Sequence, residues 1–322
     1  MNEFGRIFRV TMFGESHGDG VGVCVDGCPP GIELSQTDFT ADLERRAPRG
    51  REGSARREVA PVEIRSGVYR GHTTGAPIMI FMPNDDVDSS AYSFEKIPRP
   101  GHADFTQSIK SGGWADLRGG GVSSGRLTAA LVAAGVIAKK VIAPISVSAR
   151  LVSVHGSDNI NSEAKAAAEA GDSVGGVVEC RAVGTPVGFG EPFFDGIESV
   201  ISHLVFSIPG AKGIEFGSGF DSANRYGSEE NDAFIDASGK TSTNNAGGIN
   251  GGITNGNEIV FRVAFKPTPS ISKPQTTFNF ETGQIEELVI KGRHDACFAL
   301  RAPPVLEAVT AIALADFKRI AK

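Results

Sequence analysis

The sequence predicts an α+β fold. Strand-like and helix-like segments follow one another without the regular alternation that builds a doubly wound sheet. Five short runs have strand character, at residues 21–25, 59–64, 76–82, 175–181 and 258–265. Helix start and stop signals stand at several separate places between and after them.

Taken in order, the first strand, residues 21–25, follows a glycine-bounded run, Phe13-Gly14-Glu15-Ser16-His17-Gly18. Ser35 with Asp38 three residues on resembles a capping box, and Pro48 stops that helix after Arg45 and Arg46. Ser123 or Ser124 can cap a helix with an apolar face of Leu127, Leu131, Ala134, Ile137 and Ala138. Lys139 and Lys140 suit its negative C-terminal end. Residues 162–171 read as an exposed helix rich in Ala and Glu. Pro303-Pro304 starts a last helix over residues 305–319.

At 322 residues, with 40% apolar and 22% charged, the chain can bury a sizeable core. A net charge of −6 argues against general nucleic-acid binding, which leaves a basic excess. Cys24, Cys28, Cys180 and Cys297 form neither a CxxC pair nor a His/Cys cluster and read as buried small side chains in a reducing compartment, with no metal implied. The N-terminus shows no signal peptide. The apolar stretch 127–138 is shorter than the ~20 residues a membrane span needs. A cytoplasmic protein without a membrane or nucleic-acid partner is expected.

The 41 glycines cluster at Gly119-Gly120-Gly121, Gly247-Gly248 and Gly251-Gly252. Such clusters serve either close approach to a ligand or tight turns, and the two readings weigh equally. Gly14-Glu15-Ser16-His17-Gly18 contains G-x-S-x-G, a possible nucleophile elbow. An elbow lies between a strand and a helix in a sheet already begun, whereas Ser16 comes early and a strand follows it. A glycine turn with a surface histidine is the other reading. Arg99-Pro100-Gly101-His102-Ala103-Asp104 puts a second histidine on a rigid loop, where a group titrating near neutrality can deliver a proton. Residues 116–126 feed three glycines and Ser123-Ser124 into a helix start beside Arg126, an arrangement suited to anions. Residues 243–252 carry amides and glycines ahead of a strand ending in Lys266-Pro267-Thr268-Pro269-Ser270. Arg293-His294-Asp295-Ala296-Cys297 holds a cation and a carboxylate two residues apart, as a site or as an exposed ion pair. Arg45, Arg46, Arg49, Arg51, Arg99, Arg126 and Arg293 accompany these motifs and point to a small, highly anionic ligand.

These six motifs stand in the order and spacing of chorismate synthase, and the chain resembles that family over residues 5–317. The joining segments Val25-Asp26-Gly27-Cys28-Pro29-Pro30-Gly31, Ser66-Gly67-Val68 and Gly227-Ser228-Glu229 match as well. The resemblance implies a layered β/α sandwich in a single domain over residues 1–322, commonly assembled as a homotetramer. It implies conversion of 5-enolpyruvylshikimate 3-phosphate to chorismate by an anti-1,4-elimination of phosphate. Reduced FMN is required with no net redox change, and an external reductant and an NADP association are implied. By matching position, His17 keeps the reduced flavin suitably protonated, His102 protonates the departing phosphate, and Asp295 manages the proton near flavin N5. Ser16, Arg46, Arg51, Arg99, Ser124, Arg126 and Arg293 fall at substrate-contacting positions. Ser123, Ser124, Gly251, Lys266, Pro267, Thr268, Ser270 and Arg293 fall at flavin-contacting ones.

Three departures accompany the resemblance. Val122 stands where the family usually has arginine, Gly125 where it has alanine and Leu127 where it has glutamate. They motivate a second reading, a weakly active paralogue that binds flavin or a phosphorylated metabolite as a sensor.

Overall fold

Period-2 burial defines the strands that face the core. In the strand Ile78–Pro83, Ile78, Ile80 and Met82 are buried while their neighbours are half exposed. The computed structural model describes residues 2–48, 61–84, 94, 96–290 and 294–321. The chain opens with β1 (Glu3–Phe4), β2 (Arg9–Gly14) and β3 (Gly20–Asp26), an antiparallel meander in which Met12 faces Val23. α1 (Thr40–Arg46) follows, then β4 (Glu63–Ile64), a small hairpin of β5 (Val68–Tyr69) and β6 (His72–Thr73), and β7 (Ile78–Pro83). β7 lies between β3 and β4, so the first sheet runs β1-β2-β3-β7-β4.

After α2 (Asp104–Lys110) and α3 (Thr128–Ile142), β8 (Ser146–Val154), α4 (Ile160–Glu169), β9 (Gly176–Val183), α5 (Ile197–Val205) and β10 (Ala211–Phe216) begin the second sheet. A short α6 (Gly227–Glu230), the paired β11 (Ile249–Asn250) and β12 (Ile253–Thr254), and β13 (Ile259–Phe265) come next. β13 enters between β10 and β9, giving β10-β13-β9-β8, all antiparallel. The hairpin of β14 (Gln275–Asn279) and β15 (Gln284–Leu288) precedes α7 (Pro303–Ile320).

α3 packs on β2 and β3, α7 packs on β8 and β9, and the two helices pack on each other. The result is a sheet–helix–helix–sheet sandwich, the α+β architecture the sequence predicts. A helix between a sheet and another helix must be apolar all round. α3 accordingly buries every residue from Thr128 to Ala138, far more than the single stripe expected of it. Lys139 and Lys140 escape this layer and meet carboxylates, Glu307 and Asp42 for one and Asp38 for the other. The capping box at Ser35 forms in part: the Asp38 carboxylate accepts the Ser35 backbone N–H at 2.7 Å. The expected strand over residues 59–64 is described only from residue 61, and it pairs at 63–64.

Two buried carboxylates on α7 tie the layers together. Asp316 accepts the backbone N–H groups of Arg6, Ile7 and Phe8 at 2.8–2.9 Å, fixing the β1–β2 turn. Glu307 accepts both terminal nitrogens of Arg45, the Lys139 ammonium and the Ala149 N–H. Burial alone would raise the Glu307 carboxyl, but Arg45 and Lys139 outweigh it and hold it below the usual glutamate range.

Gly135 lets α3 and α7 approach closely: an added Cβ there would stand 2.3 Å from the Ala308 Cβ and 2.5 Å from its Cα. Gly135→Ala is therefore expected to destabilise by about 1–3 kcal/mol, despite a helix-propensity gain of about 1 kcal/mol. Denaturant unfolding reads the sign. Glu307→Gln is expected to lower stability by roughly 1.5–3 kcal/mol at pH 7. A depressed folded pKa stabilises above the unfolded value near ~4.3 and the benefit is lost as pH falls through the folded one. The difference between parent and variant should thus shrink below about pH 4, which unfolding across a pH series will measure.

Candidate active site

Ser16 and His17 lie in the loop joining β2 to β3, both nearly withdrawn from solvent at 1% and 9% exposure. The Ser16 N–H donates to the Gly121 carbonyl at 3.2 Å, and the Ser16 hydroxyl lies 3.3 Å from His17 Nδ1. A strand, not a helix, follows this loop, so the nucleophile-elbow reading fails on geometry.

The glycine triplet explains how two histidines share one wall. Gly119, Gly120 and Gly121 take φ of 58°, 90° and 52°, a left-handed run open to glycine. A Cβ on Gly119 would stand 2.0 Å from His17 Cε1, and one on Gly120 3.2 Å from His102 Nε2. A Cβ on Gly121 would strike the Asp116 carbonyl at 2.0 Å. The loop is glycine because it passes between the two imidazoles.

His102 is held from behind. Its Nδ1 lies 2.7 Å from Asp104 Oδ1, and Asp104 is 1% exposed. A proton on Nδ1 matches that contact and leaves Nε2, beside Gly120, for proton exchange. Arg99 grips the same carboxylate in bidentate fashion, Nε and Nη2 each at 2.7 Å, and donates to the Ser270 hydroxyl at 3.1 Å. Burial alone would raise the Asp104 carboxyl; hydrogen bonds from Arg99 and His102 overcome it and keep it well below the usual carboxylate range.

The helix signal at Ser123-Ser124 resolves to Ser124, whose hydroxyl accepts the Arg126 N–H in the single 3₁₀ turn that leads into α3. Lys266 Nζ donates to the Gly101 carbonyl at 2.5 Å. Burial and the neighbouring Lys212 push the Lys266 ammonium below its ordinary pKa. Asp295 pairs with Arg301 at 2.8 Å, and Arg301 Nε reaches back to the Arg46 carbonyl at 2.9 Å.

One cavity of about 640 Å³ collects most of these groups. Ser16, His17, Arg99, His102, Ser123, Ser124, Arg126, Lys266, Pro267, Thr268, Ser270 and Asp295 all line it. The chain starts of both central helices open on it, through Ser123–Arg126 ahead of α3 and Phe298 with Arg301 ahead of α7. Their positive ends add to the lysines and arginines and favour an anion.

Other candidates lie elsewhere. Arg46 is 1% exposed and spends its guanidinium on the Thr128 hydroxyl and the Gly125 carbonyl, beside a smaller cleft of about 320 Å³ that it shares with Arg126. Gly251 sits on the β11–β12 turn, off the cavity, and Gly252 beside it packs against Gly190 and Gly196. The donors of residues 243–246 turn inward onto Asp232, which accepts from the Thr243 hydroxyl and the N–H groups of Asn245 and Ala246. Arg49, Arg51 and Arg293 lie outside the described residues. The arginine collection is thus partly structural, Arg45 serving Glu307 and Arg46 the α3 entrance. Two departures are absorbed by packing: the Phe298 ring comes within 3.2 Å of where a Gly125 Cβ would stand, and Leu127 packs against the core. Val122 lines the cavity at 42% exposure.

Several residues in or behind the cavity wall were not singled out from the sequence. Asp104 lies within a quoted motif but carries no local mark of its role. Lys212, Phe298 and Arg301 line the cavity from elements distant in sequence. His294 lines it too, with a buried Nε2 that lacks a hydrogen-bond partner. Burial, and then the nearby Arg99 charge, lower its pKa. Among the described residues no cluster of His, Cys, Asp and Glu suits a metal, and no helix is long and apolar enough to cross a membrane.

A family model described as chorismate synthase matches residues 8–318. The chain is 58% identical to a chorismate synthase of Chitinophaga pinensis over 319 residues, covering 98% of this chain and 96% of that protein. A chorismate synthase of Methanocella arvoryzae is 44% identical over 348 residues, with 98% and 93% covered. A crystal structure of chorismate synthase superposes with a TM-score of 0.74 at 29% identity, covering 97% of this chain and 92% of the other.

Because its added methyl would occupy the place of the His17 ring, Gly119→Ala is expected to displace that imidazole and lower turnover by about a hundredfold. Crystallography of the variant and steady-state kinetics check this together; a parental rate with His17 unmoved would contradict it.

Proposed function

The chain belongs to the chorismate synthase family, and on that premise we propose how its cavity works as a lyase. The reaction is loss of phosphate from 5-enolpyruvylshikimate 3-phosphate by anti-1,4-elimination, giving chorismate. The observation that carries the reading is that His17, His102 and Asp295 line one cavity with Arg99, Arg126 and Lys266. A substrate with one phosphate and two carboxylates needs such a cationic wall, and its leaving group needs a proton.

His102 delivers that proton from Nε2 as the phosphate departs. Asp104 holds the ring through Nδ1, and Arg99 fixes Asp104 in turn. Arg126 and the hydroxyls of Ser16 and Ser124 orient the anionic groups of the substrate. His17, beside Ser16, would keep the protonation of a bound flavin appropriate, and Asp295, oriented by Arg301, would manage the proton near its N5.

Reduced FMN, when bound, would supply electron density to the substrate ring as the C–O bond to phosphate breaks and take it back with the ring hydrogen that is lost, so no net redox change results. The cavity fits such a group: Thr268 Oγ1 and His294 Nε2 are buried polar atoms without partners, and both residues line it. Ser123, Ser124, Lys266, Pro267, Thr268 and Ser270 would hold it from this chain, with Gly251 and Arg293 further candidates. An external reductant with an NADP association, a cytoplasmic location and a homotetramer of single-domain subunits complete the reading. Phe193 and Phe194, 90% and 92% exposed, with the exposed Phe220 and Tyr226, support contacts between copies.

Anaerobic mixing of protein, FMN, dithionite and substrate is expected to release phosphate and chorismate in equal amounts. His102→Ala is expected to lower kcat by about 10²–10⁴. No product from folded parent protein would overturn the function. A parental rate in the variant would remove His102 from the proton transfer.

A further inference from the structure

Asn84 stands at the end of β7, outside every motif discussed so far. Its backbone N–H donates to the Asp19 carbonyl at 3.1 Å, next to the paired Gly20 and Pro83. Its main chain is therefore fixed against the far end of the loop that carries Ser16 and His17. Its side chain faces two directions. Nδ2 lies 2.8 Å from the Gly18 carbonyl, 3.1 Å from that of Glu15 and 3.2 Å from that of Ser16. Oδ1 accepts the Arg126 Nε–H at 3.1 Å, while Arg126 Nη2 donates to the Pro83 carbonyl at 3.3 Å.

This placement admits one orientation of the carboxamide. Three carbonyl oxygens on one side require the NH2 group, and a guanidinium on the other requires the oxygen. Flipping the amide would set oxygen against oxygen and nitrogen donors against a cation. Aspartate keeps the acceptor and loses every donor, so no isostere performs both tasks. We propose that Asn84 is a positioning residue that fixes the Ser16–His17 loop and the Arg126 guanidinium at one separation. A ligand bridging them then meets a preset pair of walls, and the cost of ordering both is met during folding.

The kinetic part of the test rests on the proposed elimination; a structural part does not. Asn84→Ala is expected to lower kcat about ten- to a hundredfold and to raise the KM for 5-enolpyruvylshikimate 3-phosphate, with a melting temperature within a few degrees of the parent. Asn84→Asp is expected to lose at least as much kcat, because its carboxylate faces the three carbonyls. Amide hydrogen exchange over residues 15–18 should quicken in both variants. Unchanged exchange in this loop, or parental kcat in the Asp variant, overturns the proposal. So does a lowered melting temperature with parental kcat for the folded fraction. A parent that makes no chorismate would strike the functional reading alone, and the exchange measurement would still decide the role of Asn84.

Discussion

The cavity depends on a loop that could not exist with side chains. Three successive left-handed residues pass between His17 and His102; a Cβ on Gly119 or Gly121 would collide with a neighbour, and one on Gly120 would crowd His102. The two imidazoles, 85 residues apart in sequence, reach the same wall, one from a hairpin loop of the first sheet and one from the turn before α2. Their spacing is set by the thickness of a bare backbone. Backbone is stiffer than any side chain that could stand there, so the spacing is well defined.

Around this wedge, charged groups are held in pairs. Asp104 orients His102 and is gripped by Arg99; Asp295 is gripped by Arg301; Glu307 gathers Arg45 and Lys139. Buried charges without partners are costly, so a cationic cavity of this size needs such a supporting set. The arrangement also removes rotamer freedom before a ligand arrives, which leaves less ordering to be done on binding. Some arginines that look like ligand groups in the sequence therefore act one layer further out, holding the groups that face the cavity.

The sandwich supplies the frame. α3 and α7 touch closely at Gly135 and Ala308, and both begin beside the cavity. Their N-terminal ends place Ser124 with Arg126 on one side and Arg301 with Asp295 on another. A shift of one helix against the other would move one group relative to the other, which links the apolar packing of the core to the geometry of the cavity.

The sequence by itself determined the α+β class, strands β3, β4, β7, β9 and β13, helices α1, α3, α4 and α7, and most of the cavity wall, but not β2, β8, β10 or α5. Periodicity, capping residues and glycine runs are local signals, and the order and spacing of six motifs resemble one family. It did not distinguish Arg46, turned inward onto the α3 entrance, from Arg126, which lines the cavity, since both are arginines beside apparent turns. It left the amides and glycines of residues 243–252 equally open to ligand contact and to tight turns, and the structure shows Asp232 taking up the donors of 243–246. It passed over Asn84, Asp104 and Arg301, whose importance lies wholly in what they touch. Asn84 and Arg301 take partners tens or hundreds of residues away, which leave no local mark because they are chosen by how the layers stack. Asp104 takes Arg99 and His102 from its own motif, but only the folded turn shows that both close on its carboxylate. The tertiary structure alone decided which polar groups face the cavity and which hold the others in place.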